Sequence, residues 1–170
     1  MLITFSDFLS KQKSDPYWRT EKWEHISATL DVLRSLRIDN WKSLEIGTRG
    51  LSLIKTSVVM DKRRTWSPDI RHDASNIPWP FADKQFDIAI GLLVWEHVRN
   101  RDAGEAFKEL MRVSNSAILS FPYRWNDVPK ENCHHKISMK DIRKWTCNVH
   151  PTQVVIVGDK RKSLICHWVF

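Results

Sequence analysis

The chain has 170 residues, of which 42% are hydrophobic and 28% charged, with a formal net charge of +7. The length predicts one domain, since a domain averages about 150 residues, and the composition excludes an intrinsically disordered chain. Three widely spaced cysteines exclude a disulfide scaffold, the N-terminus lacks the pattern of a signal peptide, and the longest near-apolar run, 88–95, is too short for a membrane span. We therefore expect a soluble, cytoplasmic protein without a membrane span. The mild and dispersed excess of 27 Lys and Arg over 20 Asp and Glu does not favour a nucleic-acid partner.

The first predicted element is an amphipathic helix. Asp15-Pro16 is a typical helix start, and the spacing of the apolar residues that follow predicts a helix as far as Leu36. Its apolar stripe consists of Trp23, Ile26, Leu30 and Leu33. The stripe must pack either on the rest of the domain or on a second subunit, in a homodimer. We divide the single domain, 1–170, into a helical segment, 1–38, and a core, 40–170.

The core alternates predicted strands with helices, which is typical of a parallel sheet. The strands are predicted at 42–47, 57–61, 69–73, 86–93 and 116–122, with a helix at 102–113. Only seven residues, 51–57, follow Gly50 before the apolar part of the second strand. A helical crossover needs ~10–12 residues or more, so we expect no helix there, or a single turn.

The C-terminal third predicts a loop, a short helix and a hairpin. A polar and aromatic loop occupies 123–135, and Ser138 and Asp141 have the spacing of a capping box that opens a helix. Two β-rich runs, 152–157 and 163–169, flank a Gly-Asp turn and predict the hairpin. The predicted fold is α/β: a doubly wound, mostly parallel sheet with an antiparallel C-terminal hairpin, in three α/β/α layers.

Acidic residues stand at the carboxyl ends of three predicted strands. In an open α/β sheet, ligands bind beyond these ends, so we expect Glu45, Asp61 and Asp73 around one nucleoside-sized hollow. Their carboxylates could accept hydrogen bonds from a ribose diol or an exocyclic amine. Gly47 would let the backbone approach the ligand closely. Each residue alone is more typical of a turn or a cap; their joint order is what indicates a site.

Four segments resemble class I S-adenosylmethionine-dependent methyltransferases. Residues 73–87 (Asp-Ala-Ser-Asn-Ile-Pro-Trp-Pro-Phe-Ala-Asp-Lys-Gln-Phe-Asp) resemble the family's acid, Leu/Ile-Pro-aromatic and Asp-x-Ser-Phe-Asp pattern. Residues 94–98 resemble its Leu-Glu-His-Val segment, 107–113 its Glu-Leu-x-Arg-Val helix, and 44–47 the first half of its cofactor-binding motif. The resemblance covers residues 40–125 and implies a Rossmann-like fold with S-adenosylmethionine as cofactor.

The resemblance also implies roles for single residues. Asp61 would hold the ribose hydroxyls, and Asp73 would accept from the adenine amine beside the Ala74 amide. The methionine end of the cofactor would lie against Glu45 and Gly47, then Thr48 and Arg49, and against Gly91 and Leu92.

The glycine motif departs from the family's Glu/Asp-x-Gly-x-Gly-x-Gly pattern, because Arg49 and Leu51 stand at the second and third glycine positions. Without a crossover helix, the helix N-terminus that ordinarily binds an anion would be missing for the cofactor's carboxylate. Our hypothesis is that Arg49 supplies the charge partner instead.

Methyl transfer to oxygen or nitrogen gains about 10²–10⁴-fold from a general base. The candidates are His134 and His135, on the loop where this family often builds its acceptor site, and His97 with Glu96 after the fourth strand. The alternative for Glu96 and His97 is a structural role in the turn.

The sequence favours structural roles for a set of aromatic residues and for the cysteines. The aromatic residues Trp79, Trp95, Trp125 and Tyr123 could form a wall for a flat acceptor, but their spacing favours the core. A zinc set is not favoured for Cys133, His135, Cys147 and His150, because a helix separates the two tight pairs, and Cys166 in a strand indicates packing. We expect no metal.

The sequence therefore predicts an enzyme that transfers a methyl group from S-adenosylmethionine to a small-molecule or glycan-like acceptor. The alternative is a non-catalytic, methyltransferase-like module that binds a partner. The altered glycine motif, the short first crossover and the lack of an inserted substrate domain favour this alternative.

Overall fold

The structure is a computed structural model that describes residues 1–37, 40–123, 137–159 and 162–170. The strands are β1 (Ser43–Ile46), β2 (Val58–Asp61), β3 (Ile70–Arg71), β4 (Ile88–Leu92), β5 (Ser116–Pro122), β6 (Gln153–Val157) and β7 (Ser163–Val169). The helices are α1 (Phe5–Ser14), α2 (Glu21–Ser35), α3 (Ala103–Val113) and α4 (Met139–Trp145). Two short 3₁₀ turns lie at Arg64–Trp66 and Trp95–His97.

The seven strands form one sheet in the order β3-β2-β1-β4-β5-β7-β6. The first five strands pair with their neighbours in parallel, and β7 pairs antiparallel with both β5 and β6. The chain winds outward in both directions from β1 and β4, so the point where the strand order reverses lies between these two neighbours. The predicted doubly wound sheet with its antiparallel C-terminal hairpin is confirmed.

Alternation along the central strands divides the apolar core between the two faces of the sheet. In β4, Ala89 belongs to a cluster with α3 and α4, whereas Ile88 and Ile90 belong to a cluster with α1 and α2. Burial of each large aliphatic side chain contributes about 1.5–3 kcal/mol, so both helical layers are held by the sheet. The α2 stripe residues Leu30 and Leu33 are fully buried there, which shows that the stripe packs on the sheet of its own chain.

The N-terminal segment differs from the prediction of one helix beginning at Asp15-Pro16. It contains two helices, and α2 begins at Glu21. Asp15 instead terminates α1, and its Oδ1 accepts a hydrogen bond from the Tyr17 backbone N–H at 3.0 Å, which forms a turn. The capping box of Thr4 and Asp7 that opens α1 is present in the sequence and is the signal that locates this helix.

Other local predictions are confirmed. Residues 47–57 join β1 to β2 without a helix, and α4 begins with the expected capping box of Ser138 and Asp141. Trp79 and Trp95 are buried in the core, as is Cys166. Within the described ranges, no helix combines the length and the apolar character needed to cross a membrane.

Candidate active site

A cavity of about 860 Å³ opens at the carboxyl ends of β1, β2 and β4. Its volume lies in the upper part of the range, roughly 300–1,000 Å³, that small-molecule sites occupy. The sheet forms one side, and residues 17–26, from the α1–α2 connection and α2, contribute to the other. Of the nine residues predicted to bind the cofactor, eight line this cavity: Glu45, Gly47, Thr48, Arg49, Asp61, Asp73, Ala74 and Leu92. The ninth, Gly91, lies outside the lining and packs against Leu119 and Trp95.

Asp61 and Asp73 present carboxylates to the cavity from the ends of β2 and β3. Asp61 is 8% exposed, and among the described residues only its Oδ1 is engaged, accepting from the Arg63 backbone N–H at 2.8 Å. For Asp73, burial acts to raise the pKa, but the hydrogen bond from the Ser75 N–H and the charge of Lys62 outweigh it, so the pKa lies below its usual value. Asp73 is therefore charged at neutral pH and able to accept from a donor-rich ligand.

The side chain of Glu45 hydrogen-bonds to the helix-free connection between β1 and β2. Its carboxyl accepts hydrogen bonds from the Leu53 N–H at 2.7 Å, the Ile54 N–H at 2.8 Å and the Ser57 hydroxyl at 2.8 Å. Burial raises its pKa to about 7, while these hydrogen bonds act in the opposite direction. Both oxygens are thus committed to the protein backbone, so Glu45 shapes the cavity wall.

Gly47 is required by its own surroundings. Its φ is +67°, and a Cβ at this position would lie 2.7 Å from Val94 Cγ2, which is closer than atoms can approach. The sequence suggested that Gly47 makes room for a ligand; the group that approaches it is the side chain of Val94.

Arg49 is bound within the protein on three sides. Its Nε donates to Asp15 Oδ2 at 2.9 Å, and its guanidinium carbon lies 4.1 Å from the Tyr17 ring centre and 4.7 Å from that of Trp66. The carboxylate of Asp15 balances its charge and, with its pKa lowered chiefly by the hydrogen bond from Arg49, stays ionised. Arg49 therefore connects the α1–α2 segment to the loop after β1, and its role toward the cofactor's carboxylate stays a prediction.

A second group of polar residues lines the cavity from α2 and from the 3₁₀ turn after β4. Glu96 is 5% exposed, and burial raises its pKa to about 8. Burial, followed by the charge of Lys22, lowers the pKa of His25 to about 4. Both are therefore largely neutral at pH 7. His97, a predicted base, is exposed on the same turn and lines the cavity.

Several lining residues were not anticipated from the sequence. Tyr17, Trp18 and His25 lie on the segment that was interpreted as one helix packed on the sheet, and Trp66 lies in a loop. The sequence carries no clear signal that Tyr17 and Trp18 leave the helix pattern, because Asp15-Pro16 also matches a helix start. The predicted bases His134 and His135 lie outside the described residues, as do Trp125 and Cys133.

Comparison with known proteins agrees with this geometry. A family model described as a methyltransferase domain matches residues 43–117. No curated protein matches the sequence. The methyltransferase domain of bacterial CtHen1 superposes with a TM-score of 0.65 at 13% identity, covering 89% of this chain and 100% of that one.

Two similar structures were solved with S-adenosyl-L-homocysteine (SAH). The N-methyltransferase NodS from Bradyrhizobium japonicum WM9 has a TM-score of 0.65 at 14% identity, covering 89% of this chain and 88% of that one. The magnesium protoporphyrin IX methyltransferase from Synechocystis PCC 6803 has a TM-score of 0.59 at 15% identity, covering 91% and 87%. The resemblance seen in the sequence is thereby confirmed: the chain has the class I S-adenosylmethionine-dependent methyltransferase fold and matches the methyltransferase domain family over residues 43–117.

Proposed function

We propose that this protein binds S-adenosylmethionine in the cavity and transfers its methyl group to a small-molecule or glycan-like acceptor. The observation that carries the proposal is the convergence of Gly47, Asp61 and Asp73, from three different strand ends, on one cavity beside the point where the strand order reverses. The family match and the neighbours solved with SAH support the same cofactor.

The residues present suit the cofactor at its nucleoside end. The unengaged Oδ2 of Asp61 would accept from the ribose hydroxyls, and the ionised Asp73 would accept from the adenine amine beside Ala74. Leu92 would pack on the methionine portion from the end of β4. Because Glu45 and Arg49 are already committed within the protein, the nucleoside end supplies most of the polar recognition.

When bound, S-adenosylmethionine supplies an electrophilic methyl group on a sulfonium. The chain's contribution is alignment of the acceptor, since orientation of two reactants can supply ~7–11 kcal/mol of the barrier. His97, at the cavity wall, would take the proton of an acceptor hydroxyl or amine. His134 and His135 stay in this proposal as alternative bases.

A non-catalytic binding module is the second candidate. It is favoured by the engagement of Arg49 with Asp15 and by the helix-free connection between β1 and β2, which together leave the cofactor's carboxylate without its ordinary partner. This candidate requires that the cavity bind neither the cofactor nor its demethylated product.

Calorimetric titration with S-adenosylmethionine and with SAH tests the proposal. Each wild-type titration should show saturable heat. We expect Asp61→Ala to weaken SAH binding about 10- to 100-fold, because a hydrogen bond to a charged group contributes about 1.5–3 kcal/mol. Asp31→Ala is the matched control, since Asp31 is exposed on α2 and pairs with Arg34 away from the cavity.

Absence of heat with both ligands at millimolar concentration would overturn the proposal and favour the binding module. An Asp61→Ala variant that binds as tightly as Asp31→Ala would overturn the assigned position of the ribose.

A further inference from the structure

Basic side chains and two aromatic rings lie together at the rim of the cavity. The sequence alone does not favour a nucleic-acid partner, because its excess of Lys and Arg is spread along the chain. The fold gathers part of that excess into one surface, which we call the basic band. We propose that the basic band binds the phosphates of single-stranded nucleic acid, an inference that goes beyond the proposed function and does not depend on it. The band consists of Lys11, Lys22, Arg49, Lys62, Arg63, Arg64 and Arg71, with the rings of Tyr17 and Trp66.

In one part of the basic band, cations alternate with the two aromatic rings. The guanidinium carbon of Arg49 lies 4.1 Å from the Tyr17 ring centre and 4.7 Å from that of Trp66. The ammonium of Lys22 lies 3.7 Å from the Tyr17 ring centre. Lys11 Nζ lies 5.9 Å from the Trp66 ring centre. These contacts join the N-terminal segment, the loop after β1 and the loop after β2 into one surface.

The other part of the basic band lies at the edge formed by β2 and β3. Trp66 ends the 3₁₀ turn that begins at Arg64, and Arg63 directly precedes that turn. Arg71 reaches the same place from β3, because its Nε donates to the Lys62 carbonyl at 3.5 Å. Arg64 and Arg71 line one surface depression just outside the cavity. All four cations of this part are exposed, so a partner molecule can reach them.

The cations of the basic band outnumber the carboxylates beside them. The carboxylates that lie beside the band or inside the cavity next to it are those of Asp15, Asp61, Asp69 and Asp73. Two of these, Asp15 and Asp73, each form an ion pair with one cation of the band. Among the residues that the structure describes, four cations of the band form no ion pair: Lys11, Arg63, Arg64 and Arg71. This excess of positive charge attracts a polyanion.

The aromatic rings of the basic band favour single-stranded nucleic acid over other polyanions. Arginine forks match both phosphates and carboxylates, so the charges alone do not separate a nucleic acid from an acidic protein. Proteins bind single strands by combining a positively charged surface with aromatic rings or guanidinium planes on which the bases stack. The band has both features, since the Tyr17 ring is 38% exposed and Trp66 is half-buried among the cations. A duplex keeps its bases stacked on each other and would use the charges only.

Fluorescence anisotropy with a labelled oligouridylate of about 12 nucleotides tests the inference on the intact protein. We expect saturable binding that weakens as the NaCl concentration rises from about 50 to about 200 mM. The slope of log K against log salt should be about −2 to −3. Each phosphate neutralised on a single strand contributes about −0.7, and three or four cations without an ion pair can each take one phosphate.

Single substitutions separate the charge contribution from the stacking contribution. Arg64→Gln should weaken binding several-fold and reduce the salt slope by about 0.7. Trp66→Leu should weaken binding by about fivefold or more with the slope unchanged, because stacking releases no counterion. Arg34→Gln is the matched control, since it removes the same charge from an exposed α2 residue that pairs with Asp31 outside the cavity, and it should change neither quantity.

The inference is overturned if the oligouridylate does not bind at about 50 mM salt, or if Arg34→Gln has the same effect as Arg64→Gln. Equally tight binding of a duplex of the same length, of polyglutamate or of inorganic tripolyphosphate would also overturn it. Calorimetry with SAH is run in parallel, and Arg64→Gln should bind SAH as the wild type does, because Arg64 lies outside the cavity lining. Absence of SAH binding with intact oligouridylate binding would overturn only the proposed function, so the two failures are distinguished.

Discussion

Arg49 stands where the family motif has its second glycine, and its backbone keeps a glycine-like conformation with φ of +49°. The left-handed region costs a residue with a Cβ about 1–2 kcal/mol. The ion pair with Asp15 and the two aromatic rings that enclose the guanidinium offset this cost. An arginine at this position therefore connects the N-terminal segment to the loop after β1 through side-chain contacts that a glycine could not make.

A double-mutant cycle measures the coupling energy between Asp15 and Arg49. We expect Asp15→Asn and Arg49→Gln each to lower the free energy of unfolding in urea, and the pair to be non-additive by roughly 0.5–3 kcal/mol, because the two side chains share one partly buried interaction. Effects that add to within about 0.3 kcal/mol would show that the pair contributes no coupling.

Glu96 makes the stability of the protein depend on pH. The pKa of Glu96 in the folded protein, about 8, lies above its ordinary value of 4.5, so between these values only the folded state keeps the proton. The free energy of unfolding therefore falls as pH rises through this window, by up to about 1.4 kcal/mol per pH unit. The pKa of His25 is lowered from 6.5 to about 4, so between these values the free energy of unfolding rises with pH, opposite to the effect of Glu96.

Above pH 6.5 the two buried carboxyls, Glu45 and Glu96, act without that opposition. Thermal unfolding should occur at progressively lower temperature between pH 6.5 and 8. Glu96→Gln should flatten the dependence most strongly near pH 8, where Glu45, whose pKa is about 7, is largely ionised. An equally steep dependence in the variant would contradict the buried, neutral state of Glu96.

At the scale of elements, the connection between β1 and β2 contains no helix, and the carboxyl of Glu45 accepts hydrogen bonds from its backbone. Alternation along β1 turns Leu44 and Ile46 to the α3–α4 face and Glu45 to the opposite face, where Leu53 and Ile54 also lie. The Glu45 carboxyl satisfies the backbone N–H groups of both residues. A segment too short to form its own helix is thus held by the Glu45 carboxyl together with backbone hydrogen bonds to the N-terminus, where Ile3 N–H donates to the Leu53 carbonyl and Lys55 N–H to the Met1 carbonyl.

Removal of this carboxyl should strongly destabilise the folded protein. We expect Glu45→Ala to lower the free energy of unfolding by roughly 2–6 kcal/mol, since two buried backbone donors lose their acceptor at about 1–3 kcal/mol each. Ser57→Ala, which removes only one of the three donors, should cost about 1 kcal/mol. Chemical denaturation measures both, and equal losses in the two variants would contradict the role of Glu45.

Predictability from sequence also varies by element. The buried run of β4 and the acids that end β2 and β3 were predictable, because strand periodicity and parallel pairing follow from local pattern. The partners of Arg49 were not, since Asp15, Tyr17 and Trp66 reach it only through tertiary packing. The boundary between α1 and α2 was missed because the Asp15-Pro16 pair matches a helix start, although the side chain of Asp15 forms a turn and an ion pair instead.

At the scale of the whole molecule, the sheet presents acids and a glycine turn to a cavity whose other side includes the N-terminal segment. Asp61 and Asp73 line this cavity, as do His25 and Glu96 from α2 and the 3₁₀ turn after β4. Under the proposed function the two acids would bind the nucleoside of the cofactor, and the remainder of the cavity would receive the acceptor.

The most direct test of the account is a crystal structure of the protein soaked with S-adenosyl-L-homocysteine. We expect the ligand in the cavity, with its ribose hydroxyls within hydrogen-bond distance of Asp61 and its adenine amine beside Asp73. A cavity that stays empty at millimolar ligand, or a nucleoside bound elsewhere on the molecule, would contradict the account.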